Sequence, residues 1–171
     1  MTGSFEVRAV GVVRSQFTDP RHTPVQAALN ADDEAVIEVD ALYRDALGGL
    51  SGFSHVWLLC WLGRDGDESE RPPLKQVPFL LRSRAREFGI FATRGPRRVN
   101  PVGLSLVRLL SVDETTVHFA GVDLVDGTPV LDIKPYVTRF DAPLGDVRCG
   151  WFDDVELVDG STPEGLSGQA G

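Results

Sequence analysis

The 171-residue chain has few of the residues that most catalytic centres are built from: two cysteines, three histidines, two tyrosines and one methionine. Two cysteines cannot make the disulfide framework of a small secreted fold. Cys60 lies inside an apolar run and reads as a small core side chain. Cys149 stands beside Arg148 with no histidine base near it in sequence, so both thiols read as structural. His22, His55 and His118 are too far apart for metal-ligand spacing, and no metal is expected. No Gly-x-Gly-x-x-Gly run joins a strand to a helix, and there is neither a phosphate-binding loop nor a Gly-x-Ser-x-Gly elbow. Rossmann dehydrogenase, kinase and hydrolase readings are left without support.

Long apolar runs are missing too. The longest, Val56 to Leu62 (VWLLCWL), is strand-sized and stops at Gly63. The opening MTGSFEVRAV has neither the basic start nor the apolar centre of an export signal, so a cytoplasmic location is expected. Excess positive charge is also absent: the net charge of -8 argues against coating nucleic acid by bulk electrostatics. The cations are unevenly spread. Arginines 82, 84, 86, 94, 97, 98 and 108 fall in one stretch that contains a single acid, Glu87.

What is present is strand and turn. Phe5 to Arg14, Glu34 to Asp40, His55 to Leu62, Phe88 to Thr93, Leu104 to Val112, Thr115 to Val122 and Pro129 to Lys134 carry β-branched or alternating patterns. His55 to Leu62 is nearly all apolar and predicts a strand buried on both faces, with Trp57 and Trp61 in the core. Turn signals such as Gly48-Gly49, Gly95-Pro96, Asn100-Pro101 and Asp126-Gly127 separate the strands. Helix is confined to short stretches at Ala41 to Leu47 and Pro78 to Glu87. The pattern predicts an all-β fold, a barrel or a sandwich, as a single small domain over residues 1–159 with one or two short helices, and a disordered polar tail over 160–171.

Two segments carry the polar chemistry. In FATRGPRRVNPVGLS (Phe91 to Ser105), two prolines and two glycines impose a fixed path, and Arg94, Arg97, Arg98 and Asn100 project from it. Guanidinium forks suit a carboxylate, a phosphate or the face of a base. In DLVDGTPVLDIKPY (Asp123 to Tyr136), an Asp126-Gly127-Thr128 turn leads into a strand. Asp132 and Lys134 share one face of that strand, as an ion pair or as part of a polar cluster with Tyr136.

Residues 5 to about 152 resemble the TrmO (TsaA-like) family nearly end to end. The likeness is carried by VGVVRS, LSGFSHVWLL, FATRGPRRVNPVGLS, GVDLVDGTPVLDIKPY and Gly150-Trp151. It implies a β-barrel that binds S-adenosylmethionine without a Rossmann fold, as a homodimer with the site near the subunit interface. It also implies N6-methylation of threonylcarbamoyladenosine beside the anticodon of threonine tRNAs. Carried over position by position, the family's cofactor contacts fall on Pro24, Val25, Gln26, His55, Val56, Arg94, Leu104, Asp126, Gly127 and Thr128. Arg94 is assigned the cofactor carboxylate, and Arg97, Arg98, Asn100 and Lys134 the methyl acceptor. Asp132 and Tyr136 are the candidates for withdrawing the acceptor's proton. This chain differs from the family in reading Arg98-Val99-Asn100-Pro101 where Arg-Pro-Asn-Pro is common. Two alternatives stay open at this point: a small-molecule acceptor, or a non-catalytic protein that binds S-adenosylmethionine.

Overall fold

The structure, a computed structural model, describes residues 3–63, 73–78, 80–81 and 85–155. Six strands close into an antiparallel barrel: β1 (Gly11–Arg14), β2 (Glu34–Val39), β3 (His55–Trp61), β6 (Val102–Asp113), β7 (Thr116–Ala120) and β8 (Pro129–Pro135). Around the barrel the order is β1-β2-β7-β6-β3-β8, with β8 returning to β1. Closure leaves no free sheet edge among these strands. Two-residue strands β4 (Lys75–Gln76) and β5 (Phe88–Gly89) pair separately. A four-residue helix α1 (Thr138–Asp141) and several short stretches of 3-10 helix, the longest Ala41–Leu47, complete the described chain.

Alternation decides which side chains fill the barrel. Ile37 and Val39 of β2, Val56, Leu58 and Cys60 of β3, Val107 and Leu109 of β6, and Val117 and Phe119 of β7 point inward and form the core with Val13, Val122 and Val130. Burial pushes the Cys60 thiol up to about 12, so it stays protonated at neutral pH. Trp57, Leu59 and Trp61 occupy the opposite face of β3 and are only half-buried. The expected two-sided burial of β3 and the core placement of its tryptophans are therefore corrected. β3 is flanked by β6 and β8, and a barrel strand has a single inner face.

Other boundaries shift for local reasons. Of the expected strand from Phe5, only Gly11–Arg14 pairs: β2 ends at Val39, opposite Gly11, and β8 continues beyond Val130 paired with β3 instead. Phe88 to Thr93 is no continuous strand: after Gly89 the chain turns through a 3-10 helix, Ile90–Ala92, which buried Ile90 anchors. Thr93 Oγ1 closes that turn by donating to the Ile90 carbonyl at 2.8 Å. Strand β6 begins earlier than expected, at Val102. Ala41–Leu47 is helical as expected, in 3-10 form with Asp40 accepting from the Leu42 N–H. Within Pro78 to Glu87 a helical turn holds Leu80 and Leu81, while positions 79 and 82–84 lie outside the described residues, as does the tail expected to be disordered.

Gly11 marks where β1 crosses closest to β2. A Cβ there would sit 2.6 Å from the Glu38 carbonyl oxygen and 3.0 Å from the Val39 Cα. Both contacts are backbone and cannot swing away. Gly11→Ala is expected to cost about 1–3 kcal/mol as an overpacking change. Thermal unfolding followed by circular dichroism checks this, and an unchanged midpoint would show that the β1–β2 pairing relaxes freely.

Candidate functional site

A cavity of about 1470 Å³ opens at the end of the barrel where β6 begins. Its walls come from the 18–26 loop, the end of β3, the 93–100 loop, the start of β6, and the β7–β8 connection. Each wall is fixed from the sequence upward. Thr23 is buried and its hydroxyl donates to the Asp19 carbonyl at 2.9 Å, folding the loop so that buried Pro24 is followed by Val25 and Gln26 on the cavity wall. In the 93–100 loop, the Arg98 guanidinium donates to the Thr93 carbonyl at 3.0 Å, and Gln76 bonds the Thr93 hydroxyl. Trp151 donates its indole N–H to the Ala92 carbonyl at 2.7 Å and packs on Phe88, with Arg86 over the far ring 4.8 Å from its centroid.

Arg94 stands where these walls meet. Its Nε donates to Gln26 Oε1 at 3.0 Å, and Nη2 lies 3.4 Å from the Leu104 carbonyl oxygen. Three sequence-distant positions expected to contact a cofactor (Gln26, Arg94 and Leu104) are thus joined directly. A guanidinium has five N–H donors, so most of its donors remain for an anion in the cavity. Arg97, Arg98 and Asn100 line the same cavity, as do Pro24, Val25 and Thr128. Thr128 is buried, its hydroxyl donating to the Val125 carbonyl at 2.6 Å.

The remaining sequence candidates lie elsewhere. Asp126 and Gly127 form the turn that docks on β1: Asp126 Oδ1 accepts from the Ser15 N–H, and Gly127, at φ +79, donates to the Val13 carbonyl. Val56 points into the core with no exposure. His55 opens β3 at the strand end opposite Trp61, and seven extended residues set these two ends about 20 Å apart. Around His55 gather its Ser54 hydroxyl partner and the Tyr136 ring, which also meets Trp57 edge-on. Lys134 and Asp132 form a 2.7 Å ion pair on the same outer surface of β8. None of His55, Val56, Asp126, Gly127, Asp132, Lys134 and Tyr136 lines the cavity within one copy of the chain.

The structure also brings forward a residue absent from the sequence candidates. Asp123, in the β7–β8 connection, lines the cavity with Ser105. Its Oδ1 accepts from the Ser105 hydroxyl at 2.7 Å and its Oδ2 from the Ala27 N–H at 3.0 Å. Burial raises its pKa above the ordinary carboxylate value, while those hydrogen bonds and the charge of Arg94 pull the other way. The one sequence signal was an acid held between two apolar residues, Val122 and Leu124, both of which prove to be buried.

Among the described residues no group of histidine, cysteine, aspartate or glutamate could hold a metal ion, and no helix is long and apolar enough to cross a membrane. The cavity combines a cationic fork, a carboxylate and an apolar shelf that includes Trp61, Leu104 and Val125. That donor set fits a zwitterionic amino acid joined to an aromatic base, which is the chemistry of S-adenosylmethionine.

Comparison with known proteins agrees. Residues 12–142 match the family model described as the tRNA-methyltransferase O N-terminal domain. A probable S-adenosyl-L-methionine-binding protein of Methanothermobacter thermautotrophicus is 42% identical over 136 residues, covering 80% of this chain and 93% of that one. The tRNA (adenine(37)-N6)-methyltransferase of Escherichia coli is 39% identical over 140 residues, covering 78% and 58%. A crystal structure of TrmO from Pseudomonas aeruginosa superposes with a TM-score of 0.65 at 37% identity, covering 88% of this chain. The chain spans 62% of that solved protein's length. By sequence and by barrel, this chain belongs to the tRNA-methyltransferase O N-terminal domain family.

Proposed function

We propose that the chain is an S-adenosylmethionine-dependent methyltransferase that acts on N6 of a modified adenosine, threonylcarbamoyladenosine, beside the tRNA anticodon. The observation that carries this reading is the Gln26–Arg94–Leu104 junction at the wall of one cavity. When bound, the cofactor supplies an electrophilic methyl group on a positively charged sulfur. Arg94 holds its carboxylate, and the apolar shelf takes its base. Arg97, Arg98 and Asn100 at the same cavity bind the phosphates and the modified base of the RNA. Positioning supplies most of the rate, since the acceptor nitrogen must approach the methyl in line. Because that nitrogen carries a carbamoyl group, it is a weak nucleophile, and an acceptor for its proton speeds the transfer.

Asp132 and Tyr136 fill that last role in this reading, and a homodimer is what brings them there. The outer surface of β3 and β6 presents half-buried Trp57, Leu59 and Trp61 beside exposed Val102 and Leu104, an apolar patch continuous with the cavity mouth. A second copy seated on it would bring its own His55, Asp132, Lys134 and Tyr136 towards the cavity. The family relatives' names support the cofactor and the tRNA. The location is taken to be cytoplasmic, where tRNA is modified.

The test is incubation of the purified protein with methyl-labelled S-adenosylmethionine and total tRNA, followed by nucleoside mass spectrometry. Label is expected on threonylcarbamoyladenosine. RNA affinity should fall steeply with salt, because the arginines of the cavity displace counterions. Cofactor binding with no labelled nucleoside would exclude the tRNA reading. Sedimentation showing only monomer would remove the composite site.

A further inference from the structure

We propose that Asp123 is the receptor for the α-ammonium group of the cofactor, paired with Arg94 as the receptor for the α-carboxylate. The inference rests on the cofactor assignment above. Two observations carry it. First, the Asp123 carboxyl is held from behind by Ser105 and the Ala27 N–H, one hydrogen bond on each oxygen, while the residue itself lines the cavity. A carboxylate has about four acceptor positions, so acceptor capacity remains for a ligand. Second, among the described residues Asp123 makes no ion pair, whereas Asp19, another acid of the cavity wall, is already paired with Arg21 at 2.5 Å. A carboxylate in a partly dry wall with no direct ion-pair partner gains from a ligand that brings a cation to it.

The position selects which cation. An amino acid carries its ammonium and carboxylate on one carbon, so its receptors must be neighbouring groups of opposite charge. Arg94 and Asp123 line the same cavity. The same Asp123 carboxyl also fastens Ala27, the residue after Gln26, which in turn bonds Arg94. Both receptors are thereby fixed to one loop before the ligand arrives, which reduces the ordering required on binding.

Asp123→Asn keeps the size of the side chain and both of its partners: the amide oxygen accepts from Ala27, and the amide nitrogen donates to the Ser105 oxygen. Calorimetry would compare S-adenosylmethionine, S-adenosylhomocysteine and methylthioadenosine, the last of which lacks the amino-acid end. The variant should bind the first two on the order of 30-fold or more weakly and methylthioadenosine within about twofold of wild type. Equal weakening of all three would assign Asp123 to the ribose or to a purely structural role. Weakening of S-adenosylmethionine alone would point to the sulfonium, and no change in any of them would leave Asp123 without a ligand role; each result overturns the proposal. A wild-type protein that binds neither S-adenosylmethionine nor S-adenosylhomocysteine would instead remove the underlying cofactor assignment. Should Asp123→Asn fail to fold, Ser105→Ala retains the charge and loosens one oxygen. About threefold weaker S-adenosylhomocysteine binding, with methylthioadenosine unchanged, is then expected.

Discussion

Arg94→Ala is expected to weaken S-adenosylmethionine binding about 100-fold, with little change in the melting temperature of the free protein. The guanidinium is exposed, and its hydrogen bonds, to Gln26 Oε1 and the Leu104 carbonyl, are made by groups at the cavity wall rather than in the core. Removing it therefore removes a binding group without opening a core cavity. Because the fork can meet both oxygens of a carboxylate, a lysine at this position is no equivalent, and Arg94→Lys should recover only part of the loss, remaining about tenfold weak. Isothermal calorimetry gives both numbers. An Arg94→Ala protein with wild-type affinity would place the cofactor's carboxylate elsewhere, and the Asp123 assignment would fall with it.

The second large effect is on stability. Phe119→Ala should cost about 3–5 kcal/mol and lower the unfolding midpoint by roughly 10 °C. Phe119 has no exposed surface, and on β7 it faces Ala35 of β2 and Leu109 of β6, so its ring fills the barrel between two neighbouring strands. The strands are hydrogen-bonded around a closed ring and cannot move in to fill the space. Phe91→Ala supplies the contrast: this ring is 82% exposed at the cavity rim, and its loss should change stability by under about 0.5 kcal/mol. Chemical denaturation of the two variants separates the cases. Equal costs would mean that the barrel interior collapses around the smaller side chain.

Part of the candidate cavity is legible in the sequence. The proline- and glycine-bounded loop carrying Arg94, Arg97, Arg98 and Asn100 announces a fixed cationic surface, because those residues limit the backbone to few paths. The pairing of that loop with Pro24, Val25 and Gln26 came from family likeness and not from spacing, since nothing local connects positions 68 residues apart. Asp123 was not legible. Its role depends on Ser105 and Ala27, at separations of 18 and 96 residues, and no pattern in the sequence reports them.

The sequence by itself determined the all-β class and the place of most of the barrel strands, whose side chains have a period of two wherever the strand lies. It also determined which residues travel together: Trp57 with Trp61, and Asp132 with Lys134. The period leaves open which of its two faces is inside. Only closure of the barrel decided that, turning Val56, Leu58 and Cys60 inward and leaving Trp57 and Trp61 on the outer surface. The same closure placed Arg94 and Asp123 on the wall of one cavity at one end of β3, and left His55 with Tyr136 at the other. A strand's length is local information, but which residues share its end is fixed by the strands that pair with it.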